Sequence, residues 1–356
     1  MLYLLQMDDE IEQIGFGHFF YSFLAFTFIW GSLWVSTNGV SIARNLGASG
    51  NQSANVNTVS VTVASISPTP IPKPESSMTI LIGGDLMLDR GIRLVGDKYG
   101  YNSLFATATS LFEQADIMVA NLEGPITSNK SKTVLANGKT GKELVFTFDP
   151  KSVKAIASSS IDVVSLANNH SDNFGIAGLN ETKKWLKSAG IEWFGDPGNA
   201  SSTGLVIDKN EIKVAFVGYH AFRKGFERTI EEIRTLSEQG NFVIVMPHWG
   251  EEYATTSSAL IRSQAREFVS AGAKAIVGGH PHVVLERSWM GDVPVIYSLG
   301  NLLFDQHFSP EVMRGNIAEL NLIKVNGVVK IDKVRIYETS IASKRGIEVD
   351  LVPVDF

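Results

Sequence analysis

No cysteine occurs among the 356 residues, which excludes disulfides, thiolate metal sites, iron–sulfur clusters and a cysteine nucleophile. Any metal the chain binds must be held by His, Asp, Glu or Asn. Basic runs are missing too. The 31 Lys and Arg are outnumbered by 37 Asp and Glu, for a net charge of −6, and no block of cations supplies the footprint that nucleic acid requires. Nucleic acid is therefore excluded as a partner. Proline is sparse, with 12 residues against 32 glycines, while 44% of the chain is apolar. That composition is neither collagen-like nor globally disordered, and it is enough to bury a substantial core.

One long stretch carries no charge. Between Glu12 and Arg44 lie 31 residues free of Lys, Arg, Asp and Glu, centred on an apolar run at 19–35. This is long enough to cross a bilayer as a helix. A cleaved signal peptide would have a basic leader, a shorter apolar core and a small-residue cleavage site. Here Asp8, Asp9, Glu10 and Glu12 come first, and the run is bulky. A buried core helix is the other alternative. The expectation is a single-pass anchor over residues 1–44. Arg44, the one nearby cation, would by the positive-inside tendency put the following domain in the cytoplasm. Residues 45–77 read as a Ser/Thr/Pro-rich linker whose prolines at 68, 70, 72 and 74 favour extended polyproline II.

From residue 78 to 356 the pattern becomes one domain of alternating strands and helices. Val- and Ile-rich strand candidates fall at 79–83, 117–120, 163–166, 214–217, 242–246, 275–277 and 295–297, and helix candidates at 101–114, 176–188 and 257–271. Such alternation predicts an α/β fold with a largely buried sheet. Segments 317–325 and 328–338 alternate around Asn326-Gly327, a type I′ hairpin signal that makes the sheets mixed.

The polar residues collect just after these strands: Asp85 with Asp89; Asn121 and Glu123; Asn168, Asn169 and His170; His248, Glu251, Glu252 and Tyr253; His280 and His282; Asn301 and Asp305. In α/β folds the carboxyl ends of the strands share one edge, where ligands bind. Singly, each has a plain structural reading. Asp85 or Asp89 can cap a helix, Asn168 and Asn169 suit turns, and His248 can be a hydrogen-bonded core histidine. Together they form a thiol-free donor set for one or two divalent ions of zinc, manganese or iron, in which a carboxylate can bridge. His280 and His282 in Gly-His-Pro-His, two residues apart on an extended segment, are expected to present both rings on one face.

GGDLMLDR (83–90), NLEGPIT (121–127), LANNHSDNFG (166–175), PHWGEEY (247–253), GGHPHVV (278–284) and YSLGNLLFDQ (297–306) resemble, in order and spacing, the capsule-synthesis CapA family. That family is associated with poly-γ-glutamate capsule production and export, and looks like a branch of the calcineurin-like metallophosphoesterase fold. The resemblance implies a layered α/β/β/α sandwich with mixed sheets. It makes Asp85 a ligand of a first ion, Glu123 the bridge, Asn169 and His248 ligands of a second, and His280 and His282 one ligand on each. It gives His170 the task of protonating a leaving oxygen, with Glu252 as its catalytic companion. Substrate contacts fall to Asn121, Asn168, Glu251, Tyr253, Asn301 and Asp305. Implied partners are the bilayer, an acidic polymer such as poly-γ-glutamate or a phosphoester, and membrane synthetase subunits. The domain is expected outside the cytoplasm, which outweighs Arg44.

The departures from the pattern are specific. Met87 stands where phosphoesterases have a ligand His, with Asp89 or Asn121 as candidate substitutes. Asn121 and Glu123 replace a Gly-Asp bridging motif. Asn173 replaces an Asp, and Leu285 replaces a Gln. A metal-dependent hydrolase, a non-catalytic tethered polymer-binding component and a general phosphoesterase are the three functions that remain.

Overall fold

The computed structural model describes residues 73–135, 137–341 and 345–356. The expected anchor at 19–35, and the linker through residue 72, lie outside them. Among the described residues no helix is long and apolar enough to cross a membrane.

The chain first lays down β1 (Ser76–Leu86), β2 (Ile117–Leu122), β3 (Val163–Ser165) and β4 (Glu192–Phe194), parallel neighbours in that order. The connections carry α1 (Arg90–Tyr99), α2 (Thr109–Phe112), α3 (Lys151–Ser158) and α4 (Gly175–Ser188). A second sheet follows from β5 (Leu205–Lys209), β6 (Ile212–His220), β7 (Phe242–His248), β8 (Ala275–Val277), β9 (Arg287–Met290) and β10 (Val293–Ile296), with α5 (Phe226–Glu238) and α6 (Ala259–Ala271). Its order is β5-β6-β7-β8-β10-β9. The chain then returns to the first sheet. There β11 (Asn301–Leu303) pairs with the end of β1, β12 (Arg314–Val325) and β13 (Val328–Ser340) add antiparallel strands, and β14 (Glu348–Val349) and β15 (Val354–Asp355) pair with β13.

Strand periodicity builds the layers, because successive side chains point to opposite faces. Ile80 and Ile82 of β1 pack with Val214, Phe216 and Ile244 of the second sheet. Leu81, between them, faces the other way among Leu111, Phe112 and Ile156 of α2 and α3. On the second sheet Val217, Val243 and Val245 pack against Ile233 of α5 and Phe268 of α6. Three apolar layers thus separate four structural ones, giving an α/β/β/α sandwich with mixed sheets. Both sheets are covered on both faces, which is why their central strands read as near-continuous apolar runs.

Two expectations need correction. Residues 101–114 are not one helix but a 3₁₀ turn at Tyr101–Leu104 followed by the four-residue α2. Between them Phe105 N and Ala108 N bond the carbonyls of Asn102 and Phe105, three residues back instead of four, the tighter 3₁₀ pattern that interrupts an α-helix. The strand expected to end at 297 stops at Ile296. The hairpin forms as read, with Asn326 and Gly327 at φ of 52° and 76°. Gly327→Ala should therefore destabilise the domain by about 1–2 kcal/mol, the usual left-handed penalty for an L side chain. Urea unfolding measures this, and an unchanged midpoint would show that the turn relaxes.

Candidate metal centre

The carboxyl ends of β1, β2, β3, β6, β7 and β8 converge, and strand register sets who meets whom. Asp85 sits opposite Asn121 across β1–β2 and opposite Asn301 across β1–β11. His248 is bridged to Gly279, next to His280. A register shift between Ile82 and Asp85 is the kind of irregularity that re-aims a strand end beside a site.

All six expected ligands are brought together. Asp85, Glu123 and His248 each offer an atom within 4.8 Å of the others. His282 lies with Nδ1 3.4 Å from Asp85 Oδ2 and Nε2 3.7 Å from Glu123 Oε1. His248 Nε2 is 2.8 Å from Asn169 Oδ1 and 4.0 Å from Glu123 Oε1. His280 Nδ1 approaches the same His248 nitrogen at 3.1 Å.

Their electrostatics suit a cation. Both Glu123 oxygens are buried and have no hydrogen-bond partner among the described residues. Burial, then the charges of Asp85 and Glu252, push this carboxyl well above the ordinary range. Burial foremost, then the neighbouring His280, holds His248 well below its usual value. His280 is pushed down to about 3 by burial and then by His282, and His170 to about 4, chiefly by burial. Neutral imidazoles beside an unsatisfied carboxylate, that of Glu123, are the state in which His and Glu bind a divalent ion. The oxygen and nitrogen donors fit zinc, manganese or iron; the residues present therefore fit the group the motifs imply.

The Gly-His-Pro-His segment reaches the site differently from the extended geometry expected. His280 and His282 have φ of 95° and 59°, and their rings lie 6.0 Å apart. Left-handed non-glycine residues are strained and persist where the surroundings impose them, often at functional sites. The turn closes over Asp85, whose Oδ2 accepts from His280 N at 3.0 Å. At Gly279 a Cβ would sit 2.7 Å from Asp85 Oδ1. Gly279→Ala should weaken metal binding about tenfold or more, as other changes behind a ligand do. Calorimetric titration, with the fold checked by circular dichroism, tests this; an unchanged affinity would contradict it.

The residues around this core divide into supports and rim. Met87 is buried with its Sδ 3.0 Å from Asp89 N. Asp89 does not replace the missing ligand: its carboxylate accepts from Arg93 Nε at 2.9 Å and Thr147 N at 3.0 Å. It occupies the N-cap position of α1 without capping through its side chain. Asn121 donates to Asp85 Oδ1 at 2.8 Å and accepts from Asn168 Nδ2 at 2.9 Å, so both amides are engaged in orienting the ligands. Asn301 is buried; its Oδ1 lies 3.0 Å from His282 Nδ1, and its amide donates to Gln306 Oε1 and Val312 O. His170 packs on Phe146 at 4.3 Å. Its Nδ1 is 3.1 Å from Asn173 Oδ1, which also accepts from Phe146 N, and its Nε2 is 4.0 Å from Glu123 Oε1.

On the rim, Glu251 and Glu252 are exposed. Tyr253, pushed up to about 12 chiefly by burial, has its ring 6.1 Å from that of His282. Asp305 accepts from Gly91 N and pairs with Arg90 Nε at 3.2 Å. Beyond Tyr253 opens a cavity of about 810 Å³ lined by Glu311, Arg314, Glu338, Glu348 and Asp350. With four carboxylates to one arginine, it is a poor seat for an anion.

Two residues escaped the sequence reading. Arg90 lies inside the first motif but shows its position only through its pairing with Asp305. His220 ends β6 beside His248; the strand candidate at 214–217 stopped three residues short of it, and extending that run would have found it.

Capsule biosynthesis protein CapA of Bacillus anthracis is 29% identical over 255 residues, 66% of this chain and 61% of that protein. PGA biosynthesis protein CapA of Bacillus subtilis (strain 168) is 28% identical over 241 residues, 63% and 62% respectively. The chain thus spans less than two thirds of the length of either relative. The calcineurin-like phosphoesterase YfkN from Bacillus subtilis is 17% identical, with a TM-score of 0.46 over 75% of this chain and 91% of that structure. A family profile, bacterial capsule synthesis protein PGA_cap, matches residues 79–306, more than half of the sequence and every residue of the centre, and the chain belongs to that family.

Proposed function

We propose that the chain serves capsule synthesis as a divalent-metal-dependent hydrolase, acting on a phosphoester or on the γ-glutamyl links of an acidic polymer. The observation that carries this reading is Glu123, a carboxylate buried between Asp85 and three imidazoles, with neither oxygen partnered among the described residues. A buried charge without partners is too costly to keep unless something compensates it.

Asp85, Glu123, Asn169, His248, His280 and His282 would hold the metal. Bound there, a divalent ion would supply Lewis acidity that lowers the pKa of an attacking water. His170 is positioned for proton transfer. Its Nδ1 proton is fixed on Asn173 Oδ1, which leaves Nε2 as an acceptor on the Glu123 side. A phosphate or carboxylate entering beside it raises its proton affinity and makes it the donor to a leaving oxygen. Glu252 stands at the rim, close enough to act on Glu123, where it can orient the incoming chain. In this reading residues 19–35 anchor the protein, the linker over residues 45–77 tethers it, and the domain works outside the cytoplasm beside a membrane synthetase. The apolar run's length supports the anchor, and protease accessibility on intact cells tests the side.

Turnover of a chromogenic phosphodiester and of γ-glutamyl oligomers by the manganese- or zinc-loaded chain is the functional test. Activity lost in Glu123→Gln and on chelation is expected; activity indifferent to both would refute the metal mechanism. Met87 favours a second reading, because its buried thioether leaves the first ion one imidazole short. A metal-loaded chain that retains poly-γ-glutamate without cleaving it would establish a tethered polymer-binding component instead.

A further inference from the structure

We propose that His220 is a further ligand of the metal centre, its Nε2 joining Asn169 and His248 on one ion. The inference rests on the metal reading above and concerns a residue outside all six motifs. His220 ends β6 in register with His248 at the end of β7. Their ring centroids are 6.2 Å apart at an interplanar angle of 68°. The side chain is fixed from behind: Nδ1 lies 2.8 Å from the Pro197 carbonyl oxygen. A carbonyl only accepts, so Nδ1 carries the proton and Nε2 presents a bare lone pair.

That lone pair is unanswered. His220 is 1% exposed, and its Nε2 is buried without a hydrogen-bond partner among the described residues. Buried polar atoms of core histidines are ordinarily satisfied. Here the surroundings are instead organised to hold the ring still. Asn199 grips the backbone on both sides, accepting from His220 N at 2.7 Å and donating to His220 O at 2.7 Å. Phe222 flanks the ring at 5.5 Å and lies 4.4 Å from that of His280. An imidazole whose one nitrogen donates to a backbone carbonyl while the other is bare and buried is how metal-binding histidines are set by their outer partners.

Chelator-treated full-length protein, wild type and His220→Ala, is titrated with Zn(II) by calorimetry and with Co(II) by visible absorption. The expected result is one ion bound at least about 100-fold more weakly in the variant, beyond the 10–100-fold of a change behind a ligand, with a changed cobalt spectrum. Wild-type affinity together with an unchanged spectrum would overturn the proposal and leave His220 a structural residue. If wild type itself takes up no zinc or cobalt, the metal centre fails first, and the proposal with it. Should His220→Ala not fold, a crystal structure of the zinc-loaded wild type decides: Nε2 within about 2.0–2.1 Å of an ion supports the assignment, and a ring turned away from every ion refutes it.

Discussion

Glu123→Gln is expected to stabilise the metal-free protein and at the same time abolish tight metal binding. The two effects share one cause. Glu123 is fully buried, its oxygens have no donor among the described residues, and Asp85 adds a like charge beside it. Without a cation the carboxylate must be held uncompensated or keep a proton, and either is unfavourable. A neutral amide of nearly the same shape removes the like charge and can donate to the Asp85 carboxylate, for a gain of about 1.5–3 kcal/mol, the worth of a hydrogen bond to a charged group. The amide also removes the charge that bridges the ions, so affinity for zinc or manganese should fall at least about 100-fold, beyond the 10–100-fold of outer-partner changes. Urea unfolding after chelation gives the first quantity and calorimetry the second. Destabilisation of the metal-free variant would mean that Glu123 has structural partners the fold depends on.

Mild acid is the second large effect. His170 and His280 are held at about 4 and about 3 in the folded protein, against about 6.5 when unfolded. Between these values the unfolded chain binds protons that the native chain refuses, so stability is full above about pH 6.5 and falls as pH drops toward 4. At pH 5 each ring accounts for a loss of about 2 kcal/mol, and His248 acts in the same direction. Glu123 works oppositely: its raised value means that stability falls as pH rises above the unfolded carboxylate range, an opposing slope that Glu123→Gln removes. From pH 7 to pH 5 the Tm of the chelated protein should drop by roughly 10 °C, at 2–4 °C per kcal/mol for a domain of this size. Saturating zinc should protect until protons displace it. A flat Tm across that range would show that these rings are protonated without unfolding.

Much of this was legible residue by residue. Ile80, Ile82, Val214 and Ile244 announced buried strands because both faces of each sheet are covered. Asn326-Gly327 announced the hairpin because few residue pairs accept its backbone. The ligands could be read because a strand's carboxyl end is both where the chain turns and where the sheet edge opens. What local pattern does not encode stayed hidden. The left-handed backbone of His280 and His282 is imposed by closure over Asp85, a contact across 195 residues. Asp89 looked like a cap or a spare ligand until Arg93 and Thr147, the latter from a distant loop, took its carboxylate. His220 was missed because its strand runs three residues past the apolar stretch that marks it.

Calorimetric titration of the chelator-treated full-length chain with zinc or manganese decides most directly whether the buried cluster is a live metal centre. One to two ions per chain, as a hydrolytic centre of this kind holds, bound in wild type and lost in Glu123→Gln, is the predicted result. No uptake by wild type, or uptake that Glu123→Gln leaves untouched, would contradict it.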